Sequence, residues 1–270
     1  MMRRLLLYTF LGLGAFFMLW PFLWMITTSF KTLHEATAGG LQLFPATWQW
    51  GNIRETFEAA PFKRYFFNSF LVAGLVTLAV LITSLMAGYA FARLRFRGRE
   101  VIFLLVLATM MVPFEVILIP NFVLIGWLGW YNSYPALIVP WCANAFSIFL
   151  MRQAFMGIPQ DYFDAARVDG CGHLRFLVKI GAPLVKPMAV TVALFAFLGS
   201  YNALLWPLIV TTDEAMRVVQ VGIISFYGDA GVQVNLLMCA STIVILPTVG
   251  IYFLAQRYLI ESPLRAGIKG

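Results

Sequence analysis

Charge is scarce in this sequence. Asp, Glu, Lys and Arg together make up 11% of 270 residues, under half of the roughly 25% usual for soluble domains, while 61% of the residues are hydrophobic. A water-soluble enzyme is excluded on that balance. Cysteine is equally sparse: Cys142, Cys171 and Cys239 are odd in number and unpaired in spacing, so neither a disulfide framework nor a CxxC metal site is implied. No GxxxxGK[ST] phosphate loop occurs, which removes that device for cradling nucleotide phosphates. Internal repeats, low-complexity tracts and any sign of a second domain are also missing.

What is present is a set of long uncharged runs. A helix needs about 20 apolar residues to cross the roughly 30 Å hydrocarbon layer, so this length allows six crossings with modest loops and is too short for a ten- or twelve-helix carrier. A Lys, Arg or Asp at a helix centre costs roughly 2.5 to 3.5 kcal/mol on insertion scales, so charge-free stretches mark the spans. They fall at about 5–30, 65–92, 101–123, 134–151, 187–212 and 230–256. The third and fourth are separated by the turn-rich stretch GWLGWYNSYP, residues 126–135. The first run is longer than the 7 to 15 residues of a signal-peptide core and no small-residue cleavage site follows it, so it reads as a retained helix. The expected fold class is an all-α membrane protein of one domain, residues 1–270.

The net charge of +7 lies in short clusters between these runs, which reads as a topology signal rather than a nucleic-acid surface. Fourteen basic residues fall on the side shared by both termini, among them Arg93, Arg95, Arg97, Arg99, Arg152, Arg167, Arg175, Lys179 and Lys186. Five fall on the other: Lys31, Arg54, Lys63, Arg64 and Arg217. The positive-inside rule then puts both termini in the cytoplasm.

The loop at 152–186 carries more pattern than a connector requires. Pro159 suits the first turn of a helix, Asp161 and Asp164 lie near the positive end of its dipole, and Gly170 is able to take φ > 0 and stop it. Tyr162, Phe163, Ala166 and Asp169 form an aromatic-and-small face suited to another protein's groove. An amphipathic helix lying on the lipid surface fits the same pattern.

Within this loop, Asp164-Ala165-Ala166, then Gly170, then Ile180-Gly181-Ala182-Pro183 resemble the EAA loop of ABC importer permeases. The spacing matches throughout; Asp stands for the usual Glu and Ala182 for Leu. The resemblance covers nearly the whole chain and is closest to the carbohydrate-uptake branch, in particular the maltose-permease-like second subunit. Its marks are NSF (68–70), GYAFARLRFRGR (88–99), MVPFEVILIP (111–120), FLGSYNALLWPL (197–208), QRYLI (256–260) and AGIKG (266–270). Tyr201 stands where the family commonly has Trp, and Glu115 where Gln is frequent.

The resemblance implies a type I ABC importer transmembrane domain of six helices with a cytoplasmic coupling helix, in a bacterial or archaeal cytoplasmic membrane. It implies that Asp164, Ala165, Ala166, Asp169, Gly170, Ile180 and Pro183 couple the chain to a separate ATPase homodimer or heterodimer. That ATPase would bind ATP and Mg, with no catalytic residue, cofactor or metal site in this chain. A second homologous permease and an extracytoplasmic solute-binding protein are the other implied partners, the latter received on the loops at 31–64 and 213–229. The implied cargo is a sugar or oligosaccharide moved by alternating access.

Polar side chains in lipid are costly and usually face a bundle interior or a water-filled cavity. Glu115, Asn121, Asn144, Ser200 and Asn202 are therefore the candidates for the substrate path. Trp141, Tyr201 and Trp206 can offer flat apolar surfaces to a sugar while amides bond its hydroxyls. The same Asn and Ser groups also suit interhelical hydrogen bonds, and Trp suits the membrane interface. A glycerol-3-phosphate or glycerophosphodiester importer is the alternative cargo class, but a phosphate requires a positive pocket and no Lys or Arg lies inside a span.

Other classes fare worse. A membrane-embedded enzyme finds its only histidines, His34 and His173, on opposite sides of the membrane, and HEATA (34–38) lacks the second His of HExxH. A channel or proton-coupled carrier requires more intramembrane charge than the single Glu115.

Overall fold

The computed structural model describes residues 2–38, 42–228 and 231–266. Residues 39–41 of the loop at 31–64, Asp229 at the end of the loop at 213–229, and Gly267 to Gly270 of the AGIKG tail lie outside the described residues. The chain is helical almost throughout. In order come α1 (Met2–Thr28), α2 (Leu33–Thr37), α3 (Gly51–Ala59), α4 (Phe62–Arg93), α5 (Arg99–Ala108), α6 (Phe114–Trp127), α7 (Tyr134–Ile138) and α8 (Ala145–Met156). Then follow α9 (Gln160–Val168), α10 (His173–Phe176), α11 (Ala182–Leu184), α12 (Lys186–Tyr201), α13 (Leu205–Val210), α14 (Val219–Gly222) and α15 (Val234–Ala266). One two-residue antiparallel hairpin pairs β1 (Tyr227–Gly228) with β2 (Gly231–Val232) ahead of α15.

Three helices are long and apolar enough to cross a bilayer unbroken: Arg4–Thr28, Phe62–Arg93 and Val234–Gln256. Several of their hydroxyls bond to their own helix backbone, as with Thr77 Oγ1 donating to Ala73 O at 2.6 Å and Ser241 Oγ to Leu237 O at 2.8 Å. The other three expected spans are corrected in one respect, because each is interrupted. Arg99–Met111 and Phe114–Trp127 meet at 98°, and Tyr134–Trp141 and Ala145–Met156 at 44°. The expected span at 187–212 is also cut. Its helix ends at Tyr201, resumes only over Leu205–Val210, and meets the preceding helical stretch His173–Leu184 at 83°. Counting each bent pair as one span gives up to six.

The breaks have local causes. Pro113 forces Val112 into extended backbone (φ −85°, ψ 114°). Asn144 caps α8 by accepting from the Ser147 amide at 2.9 Å. Pro207 would drive its ring into the carbonyl of Ala203 in a continuous helix.

Contacts gather in two compact units, residues 1–65 with 219–248, and residues 66–218 with 249–270. In the first, side chains 4–23 of α1 are exposed, and among the described residues the helix is buried only at its end, at Thr27 and Thr28. The loop after it is tied down by Asn52, whose Nδ2 donates to Ser29 O (2.8 Å) and Lys31 O (2.9 Å). Phe62 stacks on Phe226 at 5.9 Å, and Gly222 presses so closely on Tyr65 that a Cβ there would sit 2.4 Å from its ring. Glu35 of the HEATA stretch closes a capping box with Thr32 and accepts from the Ala46 amide at 3.2 Å. The Thr32 backbone N–H, first among these bonds, holds its carboxyl below the usual carboxylate range.

In the second unit α4 and α8 cross at Gly88, where a Cβ would lie 2.5 Å from Met151 Cβ and 2.9 Å from the Arg152 amide nitrogen. Arg152 then reaches Glu100 (3.0 Å) and lies 4.1 Å over the Phe103 ring, fixing α5 to the crossing. Asn68, fully buried, donates to Ala215 O (2.9 Å) and Arg217 O (2.8 Å) and accepts from the Tyr134 hydroxyl (2.8 Å).

Candidate functional site: a neutral cavity and a seated loop helix

Two features of the second unit stand out. The first is a cavity of about 540 Å³. One wall is the i, i+4, i+8 row Val72, Val76 and Val80 of α4, with Ser69 a turn earlier. Facing it are Phe114, Leu137, Trp141, Asn144, Phe146 and Ser147, then Phe195, Gly199 and Ser200 of α12 and the segment Ala203 to Pro207. Among the described residues no Lys, Arg, Asp or Glu lines it.

The polar equipment is small and partly committed. Asn144 spends its Oδ1 on the Ser147 amide and hydroxyl (2.9 and 3.2 Å). Trp206 is buried, its indole N–H donating to Ala136 O at 2.9 Å, so the ring is held as a fixed panel. Trp141 meets it edge-on at 6.0 Å and touches Phe114 at 5.4 Å, making a continuous aromatic run.

Of the expected path residues, Asn144, Ser200 and Trp206 line the cavity; Glu115, Asn121, Tyr201 and Asn202 do not. Glu115 is exposed on the first turn of α6, and Asn121, just past Pro120, is half-buried outside the cavity wall. Tyr201 sits one residue past Ser200 and so about 100° round the helix. Its ring packs on Phe197 (5.7 Å) and Phe70 (5.6 Å). Asn202 is the exposed C-cap of α12, its amide bonded to Leu198 O at 3.0 Å. The valine row and Phe195 escaped the sequence reading, which sought polar groups; the four-residue spacing in α4 was the available signal.

The second feature is the seat of α9. Its ending is a Schellman motif: Cys171 N–H bonds to Ala166 O (2.8 Å) and Gly170 N–H to Arg167 O (3.0 Å), with Gly170 at φ +69°. This reversal brings Phe176 back onto Phe163, ring centroids 4.3 Å apart. Tyr89 and Phe155 close the cluster, and the Tyr89 hydroxyl lies 2.8 Å from His173 Nδ1. A π-turn, Leu177–Gly181, holding the half-buried Ile180, follows, and Gly181 is needed there because a Cβ would meet Phe155 and Phe176 at 3.1 and 3.3 Å.

The expected outward face of α9 is thereby corrected. Phe163 and Ala166 point into their own chain, at 7% and 5% exposure, because the Phe163–Phe176 stack buries more apolar surface than the open side offers. The exposed side carries Asp161, Tyr162, Asp164, Ala165, Val168 and Asp169, with Val168 at 88%. Asp164 accepts from Gln160 Nε2 at 3.1 Å, and Pro183 is exposed at the start of α11. Among the described residues no three His, Cys, Asp or Glu side chains gather to hold a metal ion.

Apolar helices around a neutral cavity define a membrane transport component, and comparison with known proteins agrees. Residues 79–262 match the family described as binding-protein-dependent transport system inner membrane component. The arabinooligosaccharides transport system permease protein AraQ of Bacillus subtilis is 33% identical over 270 residues, covering 99% of this chain and 96% of the relative. The sn-glycerol-3-phosphate transport system permease protein UgpE of Yersinia enterocolitica is 34% identical over 230 residues, 82% of each chain. A chain of a bacterial ABC transporter involved in the import of the acidic polysaccharide alginate shares the fold, with a TM-score of 0.85 at 23% identity over 95% of this chain and 96% of that one. This chain belongs to the family of binding-protein-dependent transport system inner membrane components, the permeases of ABC importers.

Proposed function

We infer that this permease passes a neutral sugar or oligosaccharide inward across the cytoplasmic membrane by alternating access, driven by ATP hydrolysis in a separate ATPase subunit. The observation that carries the cargo class is the cavity, aromatic on one side, furnished with Asn144, Ser147 and Ser200, and without a charged lining residue. Aromatic faces take the C–H face of a sugar ring, and hydroxyl and amide groups bond its hydroxyls. A phosphate in the same place would leave its charge unpaired in a low-dielectric site, at several kcal/mol.

The exposed side of α9 is the coupling surface. Ala165 and Val168 present little bulk to a groove of the ATPase, while Asp161, Asp164 and Asp169 supply the polar rim. With this loop cytoplasmic, both termini are cytoplasmic as well, and the loops at 31–64 and 213–229 receive the extracytoplasmic binding protein. A second homologous permease completes the pathway.

The glycerol-3-phosphate reading keeps a place because of the 34% identity to UgpE. The test is uptake by the complete importer in proteoliposomes, loaded with ATP and given its binding protein, with labelled arabinotriose, lactose and glycerol-3-phosphate compared side by side. Sugar uptake that depends on ATP is expected. Uptake of the phosphate ester alone, or ATP-independent flux, overturns the proposal.

A further inference from the structure

We propose that Arg93 is a positioning residue of the importer, the polar link through which movement of α9 is handed to the helices lining the cavity, beside the apolar contact of the Phe163–Phe176 stack with Tyr89 and Phe155. The inference rests on the function proposed above and extends it to a named route.

Arg93 is the last residue of α4, and its guanidinium reaches three elements at once. Nε and Nη2 both donate to Phe155 O, at 3.1 and 2.8 Å, and Nη2 also donates to Ile158 O. Nη1 donates to Gln160 Oε1 at 3.2 Å, and the guanidinium carbon lies 4.0 Å from the centre of the Phe163 ring. The first of these acceptors belongs to the end of α8, where the last carbonyls have no helical donor of their own and where the negative end of the dipole favours a cation. Gln160 and Phe163 belong to α9 itself.

The fork is specific to arginine. A planar guanidinium presents five donors in fixed directions and stacks on an aromatic face, whereas an ammonium is a point charge with three. Because α4 carries the valine row of the cavity and α8 begins with the Asn144 cap beside Ser147, both of the helices that Arg93 joins contribute to the cavity wall. Without Arg93 the link from α8 to α9 is the short backbone passage through Gly157, Ile158 and Pro159 and the non-directional aromatic contact of Phe163 and Phe176 with Tyr89 and Phe155. The Phe163–Phe176 stack still seats α9 in that case, so loss of Arg93 should disconnect the helices more than unfold them.

The test uses the complete importer in proteoliposomes, with Cys142, Cys171 and Cys239 replaced by Ala and Ser200→Cys as a reporter in the cavity. The labelling rate by a membrane-impermeant maleimide is measured without nucleotide and after vanadate trapping with ATP. The parent is expected to change at least fivefold between the two states. With Arg93→Ala the change should fall below twofold although vanadate-trapped ADP still forms, and with Arg93→Lys it should fall by at least half. A full fivefold response in either variant overturns the role of Arg93 and leaves the transport reading standing. A parent without any nucleotide-dependent change overturns the transport reading and this inference with it. Where Arg93→Ala fails to assemble, Arg93→Lys alone carries the decision.

Discussion

Replacing Gly88 by Ala gives the sharpest test of the fold, because the same helix supplies its own control. The added Cβ would lie 2.5 Å from Met151 Cβ and 2.9 Å from both the Met151 carbonyl carbon and the Arg152 nitrogen. Two of the three are backbone atoms, which have no rotamer to swing aside, so relief requires α4 and α8 to separate. Overpacking of this kind costs about 2–3 kcal/mol. Removing a glycine from a helix interior returns roughly 0.5–1 kcal/mol, leaving a net loss of about 1–2 kcal/mol. Gly74 lies four turns earlier on α4 with nothing within 4 Å of its virtual Cβ, so Gly74→Ala keeps the gain without the clash. The two alanine variants should therefore differ by about 2–3 kcal/mol, some 30- to 150-fold in the folded ratio. Heating the detergent-solubilised protein in steps, followed by size-exclusion chromatography, ranks them by melting midpoint. Equal midpoints would refute the crossing at Gly88.

Three further outcomes are expected. Ala165→Glu should leave the melting midpoint unchanged while the ATPase subunit no longer co-purifies, whereas Phe163→Ala, which empties the aromatic seat, should cost about 3–5 kcal/mol in the same melting assay. Asn68→Leu removes the bonds to the carbonyls of Ala215 and Arg217 and from the Tyr134 hydroxyl, a loss of about 3 kcal/mol read as faster amide exchange across residues 211–217. Because folding lowers the pKa of Glu35, its contribution is present above the unfolded value and is lost as pH falls through the folded one. Protection of the Thr32 and Ala46 amides from exchange, taken relative to the free-chain rate at each pH, should then fall in acid, and Glu35→Gln should flatten that response.

How far the sequence disclosed the molecule depends on what kind of signal each part needs. The helices over 62–93 and 234–256 are single apolar runs, and absence of charge marks them well. The expected spans at 101–123, 134–151 and 187–212 are as apolar, with Glu115 their one charge, yet hydropathy carries no direction. Their breaks were written in Pro113, in the Asn144–Ser147 cap and in Pro207, signals of backbone geometry rather than polarity. The path residues show the same divide. Ser200 and Tyr201 are equally plausible by composition, and only the phase of α12 against the valine row of α4 separates them. Phe163 and Ala166 were legible as one face of a helix, but its direction depends on Phe176, thirteen residues later, which returns only because Gly170 reverses the chain. HEATA proved to be a helix cap: Glu35 spends its carboxylate on Thr32 and Ala46.

The indole of Trp206 has one more implication. A panel whose edge is pinned to Ala136 is held against an oversized guest, so a cavity that serves as the proposed cargo path would sort by width instead of moulding itself to what enters. Changing the diet of such a transporter would then fall to the small residues elsewhere in the lining, Gly199 foremost, where a new side chain finds open space and leaves the pinned panel untouched.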